Sequence, residues 1–259
     1  MVGICKLCLN EKELIKRSHI LPNFMYKGLE DEKGRMRSIS SANPMRPKVV
    51  QSGAYEGYIF CSKCDNEILG GLERYASNNL YRADYLSHSE KFQQIDLEGN
   101  KGYILCTDFD YLKIKHFLLS LLWRVSISED THFEGVKLDA RTEDLIRACI
   151  YHGRPMPPIV LPCVVGASDN PDAEKDHNFV VTENVGQGII RLYINQFIYT
   201  FCTVPECLDE TAARCTIQDD GTMVILKVGE EEWKQVRNSI VQAMVDASKD
   251  HPDVHNLRS

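Results

Sequence analysis

Two cysteine pairs, Cys5-Lys6-Leu7-Cys8 and Cys61-Ser62-Lys63-Cys64, set the chemistry this chain can do. C-x-x-C is the tightest spacing at which two thiolates bite one ion. Two such pairs complete a tetrahedral zinc site, with Zn–S distances of about 2.3 Å. Between the pairs stands Ser18-His19-Ile20-Leu21-Pro22. An imidazole poised near pH 7 can take a proton from water, which makes His19 the candidate catalytic base. Two other readings of His19 stay open. It can bond a backbone carbonyl and lock the turn before Pro22, or it can ligate zinc itself.

The first cysteine pair and His19 sit in a basic stretch of the sequence. Residues 1–50 carry ten Lys or Arg against five Asp or Glu, whereas residues 101–259 carry sixteen against twenty-four, within a net charge of −7. Lys33, Arg35, Arg37, Arg46 and Lys48 follow one another without an intervening acid. Such a loop suits contact with the phosphates of nucleic acid, or it is simply a solvated loop. No N-terminal stretch resembles a signal peptide. The most apolar run, Phe117 to Trp123, is far short of the roughly 20 residues of a membrane span. A cytoplasmic location is expected, where ten cysteines speak for metal binding and buried thiols rather than disulfides.

The elements that must position these residues fall into three zones, read as two domains: residues 1–85 around the cysteine pairs, and an α+β domain over residues 86–259 whose role is open. Ser38 to Gly57 reads as an extended excursion, and Cys64 to Leu80 as a helix weakened by Gly70-Gly71. Residues 86–153 read as mainly helical. Asp108 or Asp110 caps a helix with apolar positions Tyr111, Ile114, Leu118, Leu121, Leu122 and Val125, which leaves Lys113, Lys115 and Arg124 on other faces. That apolar face is either core or an interface with a partner protein or a second copy. A second helix starts near Asp139 or Thr142 and stops at Gly153. From 154 onward the period changes to that of a small antiparallel sheet: Ile159 to Val165, Asn178 to Val181, Ile189 to Val204 and Met223 to Val228. An amphipathic helix from Glu230 to Ala247 closes it, and the last dozen residues are expected to fray. The fold class is therefore α+β.

The pattern Cys5-x2-Cys8, then Ser-His-Ile-Leu-Pro, then Cys61-x2-Cys64 opening a helix, resembles the treble-clef form of the HNH (ββα-metal) endonucleases. The resemblance covers roughly residues 1–75. Chains of this organisation also resemble bacterial proteins, some linked to phage defence. The resemblance implies a zinc-bound treble clef and a metal-dependent endonuclease cleaving phosphodiesters of DNA, ahead of RNA. His19 matches the general base. Asp65 stands where the family often places a histidine that binds the catalytic ion, and as a carboxylate it suits Mg²⁺ or Mn²⁺. Asn66 and Glu67 are further candidates on the same helix start. The sequence also departs from the family. Ser18 replaces a metal-binding Asp or His, residues 57–60 lack the asparagine that orients the base, and the final histidine is missing. These gaps favour the alternative class, a non-catalytic zinc module that binds nucleic acid or a partner protein.

Other residues read as structural. His116 suits helix packing, His152 a helix C-terminus, and Trp123 the core. Cys202, Cys207 and Cys215 lack a C-x-x-C bite and read as mostly buried thiols. Gly186-Gln187-Gly188 resembles a hairpin turn more than a phosphate loop, because no helix follows it.

Overall fold

Short antiparallel ribbons build the first third of the chain in the computed structural model. It describes residues 1–27, 29, 36–40, 43–50, 53–81, 90–97, 101–168 and 180–249. Strand β1 (Val2–Ile4) pairs with β2 (Glu11–Glu13). The first cysteine pair forms the turn between them, closed by Leu9 N–H donating to the Cys5 carbonyl at 2.9 Å. Strand β3 (Ser18–His19) leads away, β4 (Met36–Ser40) and β5 (Asn43–Val50) form a hairpin, and β6 (Tyr55–Glu56) returns to pair with β3. The expected excursion over 38–57 therefore contains most of a hairpin. Lys33 and Arg35 lie outside the described residues. Arg37 falls in β4, and Arg46 and Lys48 fall in β5.

The helix expected from Cys64 to Leu80 is two helices in sequence. A π-helical stretch over Lys63–Leu69 runs into α1 (Gly70–Asn79). Wide π turns concentrate at functional sites, and here Gly70 N–H reaches back to the Asp65 carbonyl. A Cβ on Gly70 would sit 3.2 Å from that oxygen, so glycine allows the wide turn to close.

The zone expected to be mainly helical begins instead with a β-hairpin, β7 (Phe92–Leu97) and β8 (Lys101–Cys106). Its signal is weak because β7 is a polar edge strand, and Tyr103 to Cys106 is an unbroken run that fits helix as readily as strand. Helix α2 (Tyr111–Ile127) follows, with Asp110 capping it by accepting from Lys113 N–H at 3.1 Å. Every residue from Ile114 to Ser126 is buried, so α2 is a central helix rather than an amphipathic one. Lys115 and Arg124, expected away from the apolar face, are each only 2% exposed. Helix α3 (Ala140–His152) is capped by Asp139 and ends at Gly153, whose φ of 62° is left-handed.

Residues from 163 onward supply β9 (Cys163–Ser168), β10 (Val180–Gly186), β11 (Ile189–Ile194), β12 (Phe197–Cys202), α4 (Glu210–Cys215), β13 (Met223–Val228) and α5 (Glu230–Lys249). The turn at Gln187 joins β10 to β11 as expected. The sheet is larger than a small antiparallel one. Seven strands run in the order β10-β11-β12-β9-β13-β8-β7, antiparallel throughout except for the parallel pair β13–β9. Sequence order could not reveal that β13 inserts between β9 and β8. One buried cluster runs from Cys5 to Ile225 through α2, and Phe60 stacks on Trp123 at 5.7 Å between ring centres. Among the described residues no helix is long and apolar enough to cross a membrane.

Candidate metal centre and adjoining cleft

Cys5, Cys8, Cys61 and Cys64 are brought together by the β1–β2 turn and the start of the π-helical stretch. Their four sulfurs all lie within 4.8 Å of one another. A tetrahedron with metal–sulfur bonds of about 2.3 Å has edges of about 3.8 Å, so this donor set can hold a metal such as zinc. Cys61 N–H donates to Cys5 Sγ at 3.4 Å, the kind of outer bond that steadies a metal-bound thiolate. Burial, then the neighbouring Cys61 and Cys5 thiols, push the Cys64 thiol well above its ordinary pKa. Binding a cation must therefore expel protons from this cluster. Two side-chain bonds tie this turn to the helices, one from the turn itself and one from α3. Lys6 Nζ donates to the Ile127 carbonyl and Arg147 to the Leu7 carbonyl, each at 3.0 Å.

Beside this centre lies a cleft of about 450 Å³ whose lining includes His19, Asp65, Asn66, Glu73 and Arg74. Strand β3 turns Ser18 fully inward and leaves His19 half-buried. Asp65, one residue beyond Cys64, projects from the π turn into the same cleft. Burial lowers the His19 pKa, with Arg17 and Arg124 adding to the effect and the Glu73 and Asp65 carboxylates opposing it. The imidazole is thus held toward its neutral form. Burial raises the Asp65 pKa, while the Ser18 hydroxyl, Arg124 and His19 pull it back and Glu73 raises it further. Ser18 Oγ lies close enough to act on Asp65, yet it is buried and hydrogen-bonds to no atom among the described residues.

Two residues of the site were not anticipated from the sequence as members of it. Arg124 reaches from α2 to donate to the Glu73 carboxylate at 2.6 Å and to the His19 carbonyl at 3.3 Å. Its Nε bonds the Ser120 carbonyl at 3.2 Å, so the guanidinium is fixed from behind. The available signal was an arginine inside the apolar run Leu121-Leu122-Trp123-Arg124-Val125, because a buried cation demands a partner. Glu73, on α1, carried no comparable signal.

The remaining candidates separate. Asn66 lines the cleft and donates to Ser62 Oγ at 3.1 Å. Glu67 is exposed and absent from the lining. Among the described residues the four cysteines are the only group of three or more potential ligand atoms gathered this tightly, so His19, Asp65 and Glu73 do not converge on one point. His116 is a packing residue, its Nε2 2.8 Å from the Arg154 carbonyl. Compared with family models, curated proteins and solved structures, the chain has no match in any of the three.

Proposed function

We propose that this protein is a metal-dependent, HNH-like endonuclease acting on nucleic acid, DNA ahead of RNA. The observation that carries the reading is that His19 and Asp65 line one cleft directly beside the four-cysteine centre. In this reading the cysteines hold structural zinc, the ribbons with the helix after Cys64 form a treble clef, and α5 closes the C-terminal sheet. A neutral imidazole at His19 accepts the proton of an attacking water. Asp65 would hold Mg²⁺ or Mn²⁺, and one carboxylate is enough because Mg²⁺ keeps waters and takes phosphate oxygens as its other ligands. Such an ion supplies charge stabilisation to the phosphate and the leaving oxygen. Arg74, exposed at the lip of the cleft, and the basic residues Arg37, Arg46 and Lys48 would contact the backbone.

A second reading, a non-catalytic zinc module that binds nucleic acid or a partner protein, is favoured by two observations. Glu73 is already engaged by Arg124, and no second cation-binding cluster is gathered among the described residues. Cleavage of plasmid and labelled oligonucleotides with Mg²⁺ or Mn²⁺ separates the two. His19→Ala should lower the rate by about 10²–10⁴-fold, the usual contribution of a general base. Equal cleavage by both proteins would sink the mechanism, and no cleavage by the wild type would leave the binding module.

A further inference from the structure

The ribbon that carries His19 also presents an exposed pairing of arginine and tyrosine that the hydrolytic reading does not use. Tyr55 stands directly opposite His19 in the β3–β6 ladder, and residues so opposed share one face with Cβ atoms about 4.5–5.5 Å apart. Tyr55 is 45% exposed, although it is a large aromatic beside a buried core. The Arg17 guanidinium covers it, 3.8 Å from the ring centre. Backbone contacts hold the ribbon from beneath. Tyr58 N–H donates to the Ile15 carbonyl at 2.8 Å, and a Cβ on Gly57 would approach the Lys16 carbonyl to 2.9 Å. Glu56, the nearest acid in sequence, is turned away. Its carboxylate accepts from Ser128 Oγ and from Glu129 N–H at 2.7 Å, behind the ribbon. Lys16, Arg17, Tyr55 and Tyr58 are all exposed.

We infer that Arg17 and Tyr55 form a stacking platform for an unpaired nucleobase beside His19, so that the strand entering the cleft is single-stranded or locally unpaired nucleic acid. A planar, weakly hydrated guanidinium over an aromatic ring offers a base a second flat surface and a positive charge for the adjoining phosphate. Bases stacked inside an intact duplex cannot use such a surface, whereas every unpaired base has a free π-face. The inference rests on the proposed nucleic-acid function but not on hydrolysis.

The test is fluorescence anisotropy of the full chain with labelled oligothymidylate, oligouridylate and a duplex of equal length, without divalent cation. Single strands should bind at least about tenfold more tightly than duplex. Tyr55→Ala should weaken single-strand binding on the order of ten- to a hundredfold and leave the salt slope unchanged, because stacking releases no counterions. Tyr55→Trp should retain binding, and Arg17→Ala should lose it in part. The two single strands tell DNA from RNA within the same chemistry. Absent single-strand binding, equal preference for duplex, or full binding by Tyr55→Ala would each overturn the platform. If Tyr55→Ala melts early, Arg17→Ala decides, and unchanged binding there overturns the inference as well. Cleavage that needs His19 but ignores Tyr55 would remove the platform alone. Platform-dependent binding without any cleavage would remove the nuclease alone.

Discussion

The cleft region and the seven-stranded sheet meet along α2, and each end of that helix buries one cation. At the cleft end Arg124 is matched by a carboxylate, Glu73, and also holds the His19 carbonyl. At the sheet end Lys115 has, among the described residues, carbonyls alone, donating to Pro158, Val160 and Leu161 at 3.2, 2.7 and 3.2 Å. The contrast follows from what each region lacks. Strands β9 to β13 hold one another by long ladders and an apolar core, so Lys115 need only pin the segment that leads into β9. Strands β3 and β6 contain two residues each, too few to be stable alone. They depend on charged clamps and on the cysteine centre. A rigid planar fork suits the bridging task and a point charge suits the pinning task.

Loss of the cysteine centre should give the largest effect. The wild type is expected to carry one tightly bound zinc per chain. Chelation or Cys64→Ser should remove folding free energy on the order of 10 kcal/mol from the ribbon region, as in small structural zinc sites. Because Lys6 and Arg147 tie the first cysteine turn to α2 and α3, the loss should spread into those helices. By contrast Cys215→Ser, far from the centre in sequence and half-exposed, should change neither zinc content nor melting. Metal analysis with circular dichroism reads both. A metal-free chain that melts like the wild type would erase the distinction between the regions.

Arg124→Met comes next. Leaving the Glu73 carboxylate and the His19 carbonyl without their donor should cost about 3–5 kcal/mol, and Glu73→Gln in the same chain should restore part of it. Phe201→Ala in the fully buried sheet core should cost a similar amount, about 3–5 kcal/mol, through a cavity. Hydrogen exchange distinguishes them. Arg124→Met should speed exchange first in the β3–β6 ribbon, and Phe201→Ala first in β11 and β12. The same order of exchange in both variants would mean that the ribbon does not depend on Arg124.

How much of this was legible follows the same division. The cysteine pairs, the caps at Asp110 and Asp139, the stop at Gly153 and the turn at Gln187 are local devices, and their residue types stand at fixed offsets in the sequence. His19 and Asp65 could be singled out only because each sits next to or between the cysteine pairs. The Arg124 bonds span 51 and 105 residues, and no spacing rule reaches that far. Lys115 and Arg124 were misplaced because a helix period identifies the apolar face but cannot say that the polar face is buried too. The sheet was underestimated for a related reason. Met223 to Val228 reads as a strand, but its place between β9 and β8 is set by packing rather than by neighbours in sequence.

Lys115 offers the smallest effect and the sharpest sign. Burial pushes its pKa from 10.5 down to about 8. Below about pH 8 the amine is charged in both folded and unfolded chains, and its burial penalty is fully felt. Between about pH 8 and pH 10.5 the folded chain can release the proton while the unfolded chain keeps it, so this residue's contribution to stability rises with pH. Buried thiols and tyrosines with raised pKa values, such as Cys106 and Tyr199, act in the opposite direction over part of the same range. The measurement is therefore a difference: urea unfolding of wild type minus Lys115→Met, repeated from pH 7 to pH 10.5. That difference should climb by up to roughly 3 kcal/mol. The same subtraction with Arg124→Met should stay flat, because a guanidinium does not titrate there. A flat Lys115 difference would mean that the three carbonyls hold the ammonium as firmly as Glu73 holds Arg124, and the two ends of α2 would then be equivalent.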